Sequence, residues 1–469
     1  MAGLREEIYG GARYLATREV LGIALRSLGL LVVVRALGPA AYGAYAGAVA
    51  VIVVLTFASQ LGIDTYLNRD AEPFDDRRFD EASTLLAVVS VGVAAVALAA
   101  SFPAERVLAH GMSVPVLRVL LLAIPLNVLW APAQARLEKR FRFRELTRLE
   151  LGGDAVLHGV SVGLVLTGLG VWGPVCGYLA WQAWLLVGSH LLAGHVPRPR
   201  RVREARAMLS FGVPFSAAQW LSSAEAVVNP LLVGPVAGTA GVGAVALGLR
   251  VLETFSFVVR LGSRLAVLGF AETRGDVARL RRGLEEAVLV QVVALGVVLS
   301  TVALALRVLA GPVLGDEWEL VLDGFPALAA SFLLASAFSA QQLYLQIYAG
   351  VRRVVVVHAV KLGVLAAATA LLAPGLGAAA FGVASVISAA NYGLVHRPVQ
   401  RETGYRIEVP FAWLGAFAGL LFLGSLPVPW SLLALIPAAV VAALPWAREP
   451  VLALVRRGGT LRAREPSRP

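Results

Sequence analysis

Long apolar blocks recur along nearly the whole chain, roughly one every 20–40 residues from Val20 to Trp446. No stretch between two blocks is long enough to form a domain of its own. A helix that crosses a bilayer needs about 20 mostly apolar residues, because the hydrocarbon core is about 30 Å thick. The chain is 58% hydrophobic and only 15% charged, whereas soluble domains carry about 25% charged residues. The sequence therefore predicts an all-α integral membrane protein.

The block lengths predict about fourteen transmembrane helices. The predicted spans are residues 20–37, 43–63, 83–101, 115–132, 153–170, 172–193, 209–234, 239–270, 286–309, 325–349, 354–373, 376–395, 409–426 and 430–446. A turn at Gly168–Pro174 separates the fifth span from the sixth, since glycine and proline interrupt helices.

Most of the 41 basic residues lie in short clusters between the apolar blocks. If the N-terminus is inside, alternation of the spans places these clusters on the inner side, as short cytoplasmic loops require. We therefore predict a multi-pass protein of the cell (inner) membrane with both termini cytoplasmic, residues 1–19 and the basic tail 447–469. A nucleic-acid partner is not expected, because its binding face would gather the basic residues on one solvated surface.

Several functional classes lack the residues they need. The predicted outer loops are little more than turns, too small for an outer-face transferase or polymerase site. No GxxxxGK[ST] segment occurs, so the chain lacks that nucleotide-binding loop. The six histidines have no metal-ligand spacing, and there is one cysteine. We predict a transporter rather than an enzyme, with no metal and no cofactor.

Two similar segments lie six predicted spans apart. Leu37–Tyr45 leads into span 2, and Val233–Gly243 leads into span 8. Each is read as a Gly-Pro outer turn, Gly38–Pro39 and Gly234–Pro235, followed by a helix start rich in small residues. An even offset preserves orientation, so the repeat is predicted to be parallel, with its axis along the membrane normal.

These residues carry a resemblance to a known family. The run Arg35–Tyr45, followed by Gln60–Asp64, resembles the opening of polysaccharide-type flippases of the multidrug/oligosaccharidyl-lipid/polysaccharide exporter superfamily. Phe211–Phe215 and Gly241–Gly243 resemble the family's spans 7 and 8. The chain departs from the family at Gly241, where relatives often have an aromatic residue.

The resemblance implies two six-helix lobes related by a pseudo-two-fold axis, around a cavity lined by spans 1, 2, 7 and 8. The N-lobe would be residues 20–193, the inter-lobe linker 194–208, the C-lobe 209–395, and two added helices 409–446. Relatives move lipid-linked saccharides, such as polyprenyl-pyrophosphate oligosaccharides, from the inner to the outer leaflet by alternating access. Expected partners are membrane lipids, the lipid-linked saccharide and a glycan polymerase or export system.

Other readings stay open at this point. A cation-coupled drug antiporter of the same superfamily would favour an acidic or aromatic cavity. A membrane enzyme would need a cluster of catalytic groups at the membrane boundary. The sequence does not decide whether H⁺, Na⁺ or the membrane potential drives transport.

Predicted span 8 carries the strongest set of charges. Arg250, Glu253, Arg260 and Arg264 follow one another at helical spacing, with Phe257 between them. Lipid would not tolerate this stripe, so we predict that it faces an aqueous cavity. Its arginines suit a pyrophosphate or an acidic sugar, because guanidinium groups bind phosphate oxygens in bidentate fashion. Arg264 and Arg260 could instead extend to the inner surface.

Acidic candidates for gating or ion coupling are Glu225, Glu253, Asp64 and Asp154. Glu225 in span 7 lies at about the depth of Arg250, 14–17 Å from the outer turn at 1.5 Å per residue. The pair could be structural or could act as a gate. Asp154 and His158 share a helix face and could relay protons or form an ordinary helix-start pair.

The remaining candidates are polar or basic residues inside spans. Arg26 in span 1 could extend to the inner surface, but the resemblance implies that it faces the cavity, where it would bind the anionic group. Asn229 precedes Pro230, which weakens the helix by removing a backbone hydrogen bond. Lys361 and Gln342 are secondary candidates in spans 11 and 10.

Overall fold

The structure, a computed structural model, describes residues 2–68, 76–260, 262, 276–348, 351–426 and 430–453. Side chains within these stretches are described from Gly22 onwards, except at positions 64, 215, 347, 348, 351, 430 and 432. The described residues form helices and short connections, with no β-strand among them. The predicted all-α membrane fold is confirmed, because helices alone satisfy their backbone hydrogen bonds internally without water.

The chain divides into two compact units, Met1–Gly243 and Ala244–Pro469. The helices of the first unit are α1 (Ala2–Gln60), α2 (Ile63–Asn68), α3 (Asp76–Ser101), α4 (Glu105–Leu108), α5 (Val114–Leu120), α6 (Ala123–Leu129), α7 (Ala131–Lys139), α8 (Phe143–Leu164), α9 (Trp172–Ala193) and α10 (Ala205–Val228). Helix α11 (Gly234–Thr254) crosses the unit boundary. The predicted division into lobes, with its boundary in linker 194–208, stays a prediction.

The second unit continues with helices α12 (Val277–Leu309), α13 (Leu320–Tyr348), α14 (Val351–Leu376), α15 (Ala379–Ser388), α16 (Gly393–Thr403), α17 (Glu408–Gly424) and α18 (Leu435–Ala443). The helix Pro445–Ala453 follows α18. π-Helical turns extend three helices, at Val165–Leu169 after α8, Asn229–Val233 after α10 and Ala310–Leu314 after α12.

Two apolar helical segments are about twice as long as a bilayer requires. Gly22–Gln60 and Ser216–Thr254 contain 39 residues each, or about 58 Å of helix at 1.5 Å per residue. Each is broken by a glycine, Gly38 at φ 69°, ψ 170° and Gly238 at φ 65°, ψ −175°. This backbone conformation is almost restricted to glycine. The repeat therefore matches Gly38 with Gly238, and the predicted match to Gly234 is wrong because Gly234 has helical dihedrals.

The described residues contain ten helices long and apolar enough to cross a membrane, or eleven if the bent pair Leu435–Ala443 and Pro445–Ala453 is one span. The predicted count of fourteen is not confirmed. Much of the difference comes from the two 39-residue segments, because each contains two predicted spans, one on either side of its glycine break. Glu408–Gly424, predicted as span 13, has only 17 residues.

Helix α3 shows that lipid is the solvent for the outer surface. Its buried face carries Ser83, Leu86 and Ser90 at helical spacing. Its opposite face exposes valines, with Val88 at 67% and Val96 at 70%. Soluble proteins rarely expose a continuous apolar face of this kind, whereas a membrane helix turns its small and polar residues inward.

The two glycine breaks meet in the first unit. A Cβ built on Gly43 would lie 1.8 Å from the carbonyl oxygen of Thr239. A Cβ built on Gly243 would lie 2.2 Å from the carbonyl oxygen of Pro39. Each glycine therefore packs on the residue that follows the other break. A reciprocal contact of this kind is what two-fold symmetry produces, and it supports the parallel repeat.

Candidate functional site

An ion pair joins two helices of the first unit that are far apart in the sequence. Nη1 of Arg26 in α1 donates to Oδ2 of Asp154 in α8 at 2.9 Å. The Arg26 side chain is 45% exposed and that of Asp154 is 16% exposed. One turn along α8, His158 packs against Gly29, where a Cβ would lie 2.4 Å from the histidine Nδ1. The structure thus brings three sequence candidates, two basic and one acidic, to one helix interface.

The position of Asp154 within its helix differs from the sequence expectation. The predicted span 5 begins at residue 153, which would place Asp154 at the start of the helix. Helix α8 instead begins at Phe143, so Asp154 lies eleven residues in, about 16 Å along the axis. The reason is that Arg144 and Arg148, read as loop residues, continue the helix as good helix formers.

The stripe on predicted span 8 is exposed where the structure describes it. Arg250, Glu253, Phe257 and Arg260 all lie on the surface. Nη1 of Arg250 donates to Oε2 of Glu253 at 2.8 Å, with side chains 52% and 61% exposed. Arg260 donates to the hydroxyl of Ser256 one turn earlier. The stripe therefore places two arginines and one glutamate on an exposed face at the end of an apolar segment.

The end of α10 is distorted where the sequence predicts a weak helix. Asn229 and Pro230 open the π-helical turn that follows α10. The buried amide of Asn229 donates to the carbonyl of Val242 at 3.1 Å, which ties this turn to α11 within the first unit. Glu225, one turn earlier, is half-buried. Its predicted pairing with Arg250 and its gating role stay predictions.

The other candidates fall in different places. Arg264 lies outside the described residues, and so does the side chain of Asp64. Lys361 lies on α14 and Gln342 on α13, both half-buried. The neighbouring Gln341 is fully buried, and its Oε1 lies 3.2 Å from Nδ1 of His396. Sequence reasoning missed Gln341, because a single buried amide leaves no periodic signal.

A chain of amides was also missed. Nε2 of Gln60 in α1 donates to Asn127 at 3.4 Å, and Nδ2 of Asn127 in α6 donates to Gln182 at 3.1 Å. Gln182 in α9 is fully buried. Buried polar groups in membrane helices hydrogen-bond across helices, so this chain fixes three helices of the first unit together.

The acidic pair Asp80–Glu81 was missed for a different reason. The predicted span 3 begins at residue 83, so both carboxylates were left in a loop. Helix α3 begins at Asp76, and both side chains are buried, with 1% and 3% exposure. An acidic pair just before an apolar helix, with a basic linker elsewhere, is the signal that could have found it.

Among the described residues, no group of three or more histidine, cysteine or acidic side chains is placed to hold a metal ion. The expected absence of metals and cofactors stays a prediction.

The fold is that of transporters in the multidrug/oligosaccharidyl-lipid/polysaccharide exporter superfamily. The lipid II flippase MurJ in an inward closed conformation superposes with a TM-score of 0.70 at 11% identity, covering 91% of this chain and 96% of that one. An inward-facing multidrug transporter of the MATE family gives 0.62 at 14% identity, covering 81% and 95%. A superfamily transporter from Pyrococcus furiosus, described as having a binding pocket of reverse polarity, gives 0.50 at 16% identity, covering 82% and 94%.

The sequence profile of the family "Polysaccharide biosynthesis protein" matches residues 32–323, more than half of the chain. The chain belongs to this family. The family resemblance drawn from the glycine turns is thereby confirmed, and the molecule is a multi-pass membrane protein with the fold of the superfamily's transporters. A search of curated protein sequences returns no match.

Proposed function

We propose that this protein is a flippase that carries a lipid-linked oligosaccharide of the polyprenyl-pyrophosphate type from the inner to the outer leaflet. Transport would proceed by alternating access and serve the export of a polysaccharide or cell-envelope glycan. Family membership supports a role in polysaccharide biosynthesis, and the likeness to MurJ supports the fold that such a role needs.

The observation that carries the proposal is the exposed basic stripe of predicted span 8. Arg250 is exposed although it lies in Ser216–Thr254, a segment apolar enough to cross a bilayer, and Arg260 is exposed six residues beyond the end of that segment. A charge in such a place costs about 2.5–3.5 kcal/mol on insertion scales and is kept where it serves a water-filled path. Arg250 is paired with Glu253 on the same helix face. The planar, multidentate guanidinium groups of this face have the geometry that suits a pyrophosphate.

The Arg26–Asp154 pair, with His158 beside it, supports ion coupling. A carboxylate held by an arginine releases its partner when it binds a proton or Na⁺, since either cation removes the net negative charge that attracts the guanidinium. We propose that Asp154 is the coupling carboxylate and that Arg26 is released as it loads.

The test uses purified protein in liposomes that carry a fluorescent polyprenyl-pyrophosphate saccharide in both leaflets. A membrane-impermeant quencher follows the transfer between leaflets. We expect protein-dependent transfer that falls at least about tenfold in Arg250→Ala, a loss of about 1.4 kcal/mol of binding. The matched control is Arg118→Ala, because Arg118 is also an arginine in an ion pair, with Glu105 at 2.7 Å, but is not part of the stripe. Normal transfer by well-inserted Arg250→Ala would contradict the role of the stripe.

A second candidate is a cation-coupled small-molecule antiporter. The likeness to the inward-facing MATE transporter favours it, because 95% of that chain is covered. The two candidates separate in the same liposomes. Collapse of a pH gradient on addition of a cationic dye, without any saccharide transfer, would favour the antiporter.

The proposed location is the inner membrane with both termini in the cytoplasm. Its support is the distribution of arginine between the apolar blocks. The proposed partners are the lipid-linked saccharide, the surrounding lipids and a glycan polymerase or export system, and no nucleic acid.

A further inference from the structure

Glu81 holds the segment that follows α9. Its Oε2 accepts hydrogen bonds from the backbone N–H groups of Arg203 at 2.8 Å and Glu204 at 3.2 Å. Its Oε1 lies 3.0 Å from Nε of Arg77, one turn earlier in α3. The side chain is only 3% exposed. A carboxylate this deeply buried stays charged because these donors replace its water.

Asp80, the preceding residue, holds the same segment at its other end. Its Oδ1 accepts from the backbone N–H of Arg198 at 3.0 Å and lies 2.8 Å from Nε2 of His195. Its Oδ2 lies 3.1 Å from Nε of Arg200. The two carboxylates therefore fix residues 195–204, which we call the strap, at both ends.

The strap leads directly into α10, and the start of α10 is fixed as well. The hydroxyl of Tyr66 in α2 donates to Glu204 at 3.3 Å, and its ring lies 6.0 Å from that of Phe211. A Cβ on Gly212 would lie 2.0 Å from the carbonyl of Leu61. The start of α10 is therefore in direct backbone contact with the turn that follows α1.

The second unit contains the same device. Arg281 and Glu285 lie one turn apart at the start of α12, with Nε and Oε1 separated by 3.6 Å. Oε1 of Glu285 accepts from the backbone N–H of Arg406 at 3.1 Å, in the segment that follows α16. The helices before both fixed segments end on left-handed glycines, Gly194 at φ 69° and Gly404 at φ 68°. Each unit therefore fixes an outgoing segment on an Arg-x-x-x-Glu helix start.

We propose that Asp80 and Glu81 form a latch that, through the strap, holds the start of α10 against α1–α3, and that the latch must release for this end of the first unit to open. The proposal rests on the alternating access of the proposed function. It assigns opening to the predicted cytoplasmic end, where the strap lies. The latch residues are positioning residues, because they act on α10 through the strap.

Hydrogen exchange tests the latch without any substrate. In Glu81→Gln the amide keeps its shape but loses the charge-assisted bonds, so we expect exchange in a peptide covering 198–206 to rise about tenfold. The matched control is Glu285→Gln, which should raise exchange around Arg406 and leave 198–206 unchanged. Unchanged exchange at 198–206 in folded Glu81→Gln would overturn the latch.

Thiol labelling tests whether release opens the end of α10. Ser216 is buried, 8% exposed, and its Oγ would lie 2.4 Å from a Cβ on Gly62. The reference protein for labelling is Cys176→Ser/Ser216→Cys. We expect the introduced thiol to react about tenfold faster when Glu81→Gln is added, and at the reference rate when Glu285→Gln is added. Equal labelling rates in the Glu81→Gln and Glu285→Gln proteins would overturn the proposal.

If Glu81→Gln does not fold, Tyr66→Phe decides on the same two readouts. It removes one long hydrogen bond to the Glu204 carboxylate and should raise labelling about two- to fivefold, whereas an unchanged rate would overturn the latch. Neither readout uses saccharide. If the wild-type protein transfers no saccharide but the variants show these changes, the proposed function is refuted and the latch is retained. The latch would then control the transport of a different substrate.

Discussion

At the residue scale, the pair Arg26–Asp154 shows what holds charge inside an apolar helix. Either charge alone would be costly in lipid. The two side chains meet at 2.9 Å, and the arginine is 45% exposed. A pair open to water on one side can break at lower cost than a fully buried one, because solvent replaces the lost partner. This geometry suits a pair that opens and closes.

We predict that Asp154→Asn lowers saccharide transfer at least about tenfold and removes its response to a pH gradient. Asparagine keeps the shape of aspartate but cannot take up a proton or hold Na⁺ by charge. The measurement is liposome transfer at two imposed pH gradients. Asp316→Asn, an acidic residue in a short turn of the second unit, is the control.

The double variant Arg26→Gln/Asp154→Asn separates coupling from structure. If the pair only stabilises the fold, neutralising both partners should restore transfer, because no uncompensated charge is left. If Asp154 couples transport, the double variant should fold normally and stay inactive. A double variant with wild-type activity would contradict the coupling role.

The sequence identified Arg26 and Asp154 as candidates but did not show that they form a pair. Periodicity relates residues three or four positions apart, and Arg250–Glu253 is such a pair. Arg26 and Asp154 are separated by 128 positions, and Asp80 and His195 by 115. Helix packing brings them together, and no local pattern encodes which helix faces meet.

At the element scale, the two glycine breaks decide where the long helices turn. We predict that Gly38→Ala and Gly238→Ala each destabilise the protein by about 1–3 kcal/mol, because both need a backbone conformation that side chains resist. Thermal unfolding in detergent measures the effect as a lower midpoint.

The control for these variants is Gly92→Ala in α3. Gly92 has helical dihedrals and nothing within 4 Å of a built Cβ, so alanine should raise stability by about 0.5–1 kcal/mol. Equal midpoints for Gly38→Ala and Gly92→Ala would show that the break at Gly38 carries no conformational strain.

The sequence predicted the helical elements better than their ends. The lengths of the apolar blocks located the spans, because a helix must present about 20 apolar residues to cross the hydrocarbon core. Charged residues misled the assignment of ends, since α3 and α8 both begin several residues before their apolar cores, with Asp76 and Phe143. A helix that leaves the membrane continues through charged residues as long as they favour helix and find partners.

At the scale of the whole molecule, the parallel repeat appears as contacts as well as sequence. The first unit contains the reciprocal crossing of Gly43 and Gly243. The two units separately contain an Arg-x-x-x-Glu helix start, Arg77–Glu81 and Arg281–Glu285. The turns were visible in the sequence, because glycine and proline are rare enough to stand out, whereas the acidic helix starts look like ordinary solvated loops.

The crossing makes a quantitative prediction about symmetry. Gly43→Ala and Gly243→Ala should lower the unfolding midpoint by similar amounts. Each new Cβ would meet a carbonyl oxygen of the other helix, that of Thr239 at 1.8 Å and that of Pro39 at 2.2 Å. Overpacking of this kind costs about 1–3 kcal/mol. Gly159→Ala, which lies inside α8 with open space around its Cβ, should instead raise the midpoint slightly, as expected for Gly92→Ala.

The double variant Gly43→Ala/Gly243→Ala tests whether the contact is one unit. Once the first methyl has pushed the two helices apart, the second enters space that is already open. The double variant should therefore lower the midpoint by clearly less than the sum of the two single-variant effects. Strict additivity would mean that the two glycines pack independently. In that case the matched breaks at Gly38 and Gly238 would reflect repeated local structure without a shared two-fold contact.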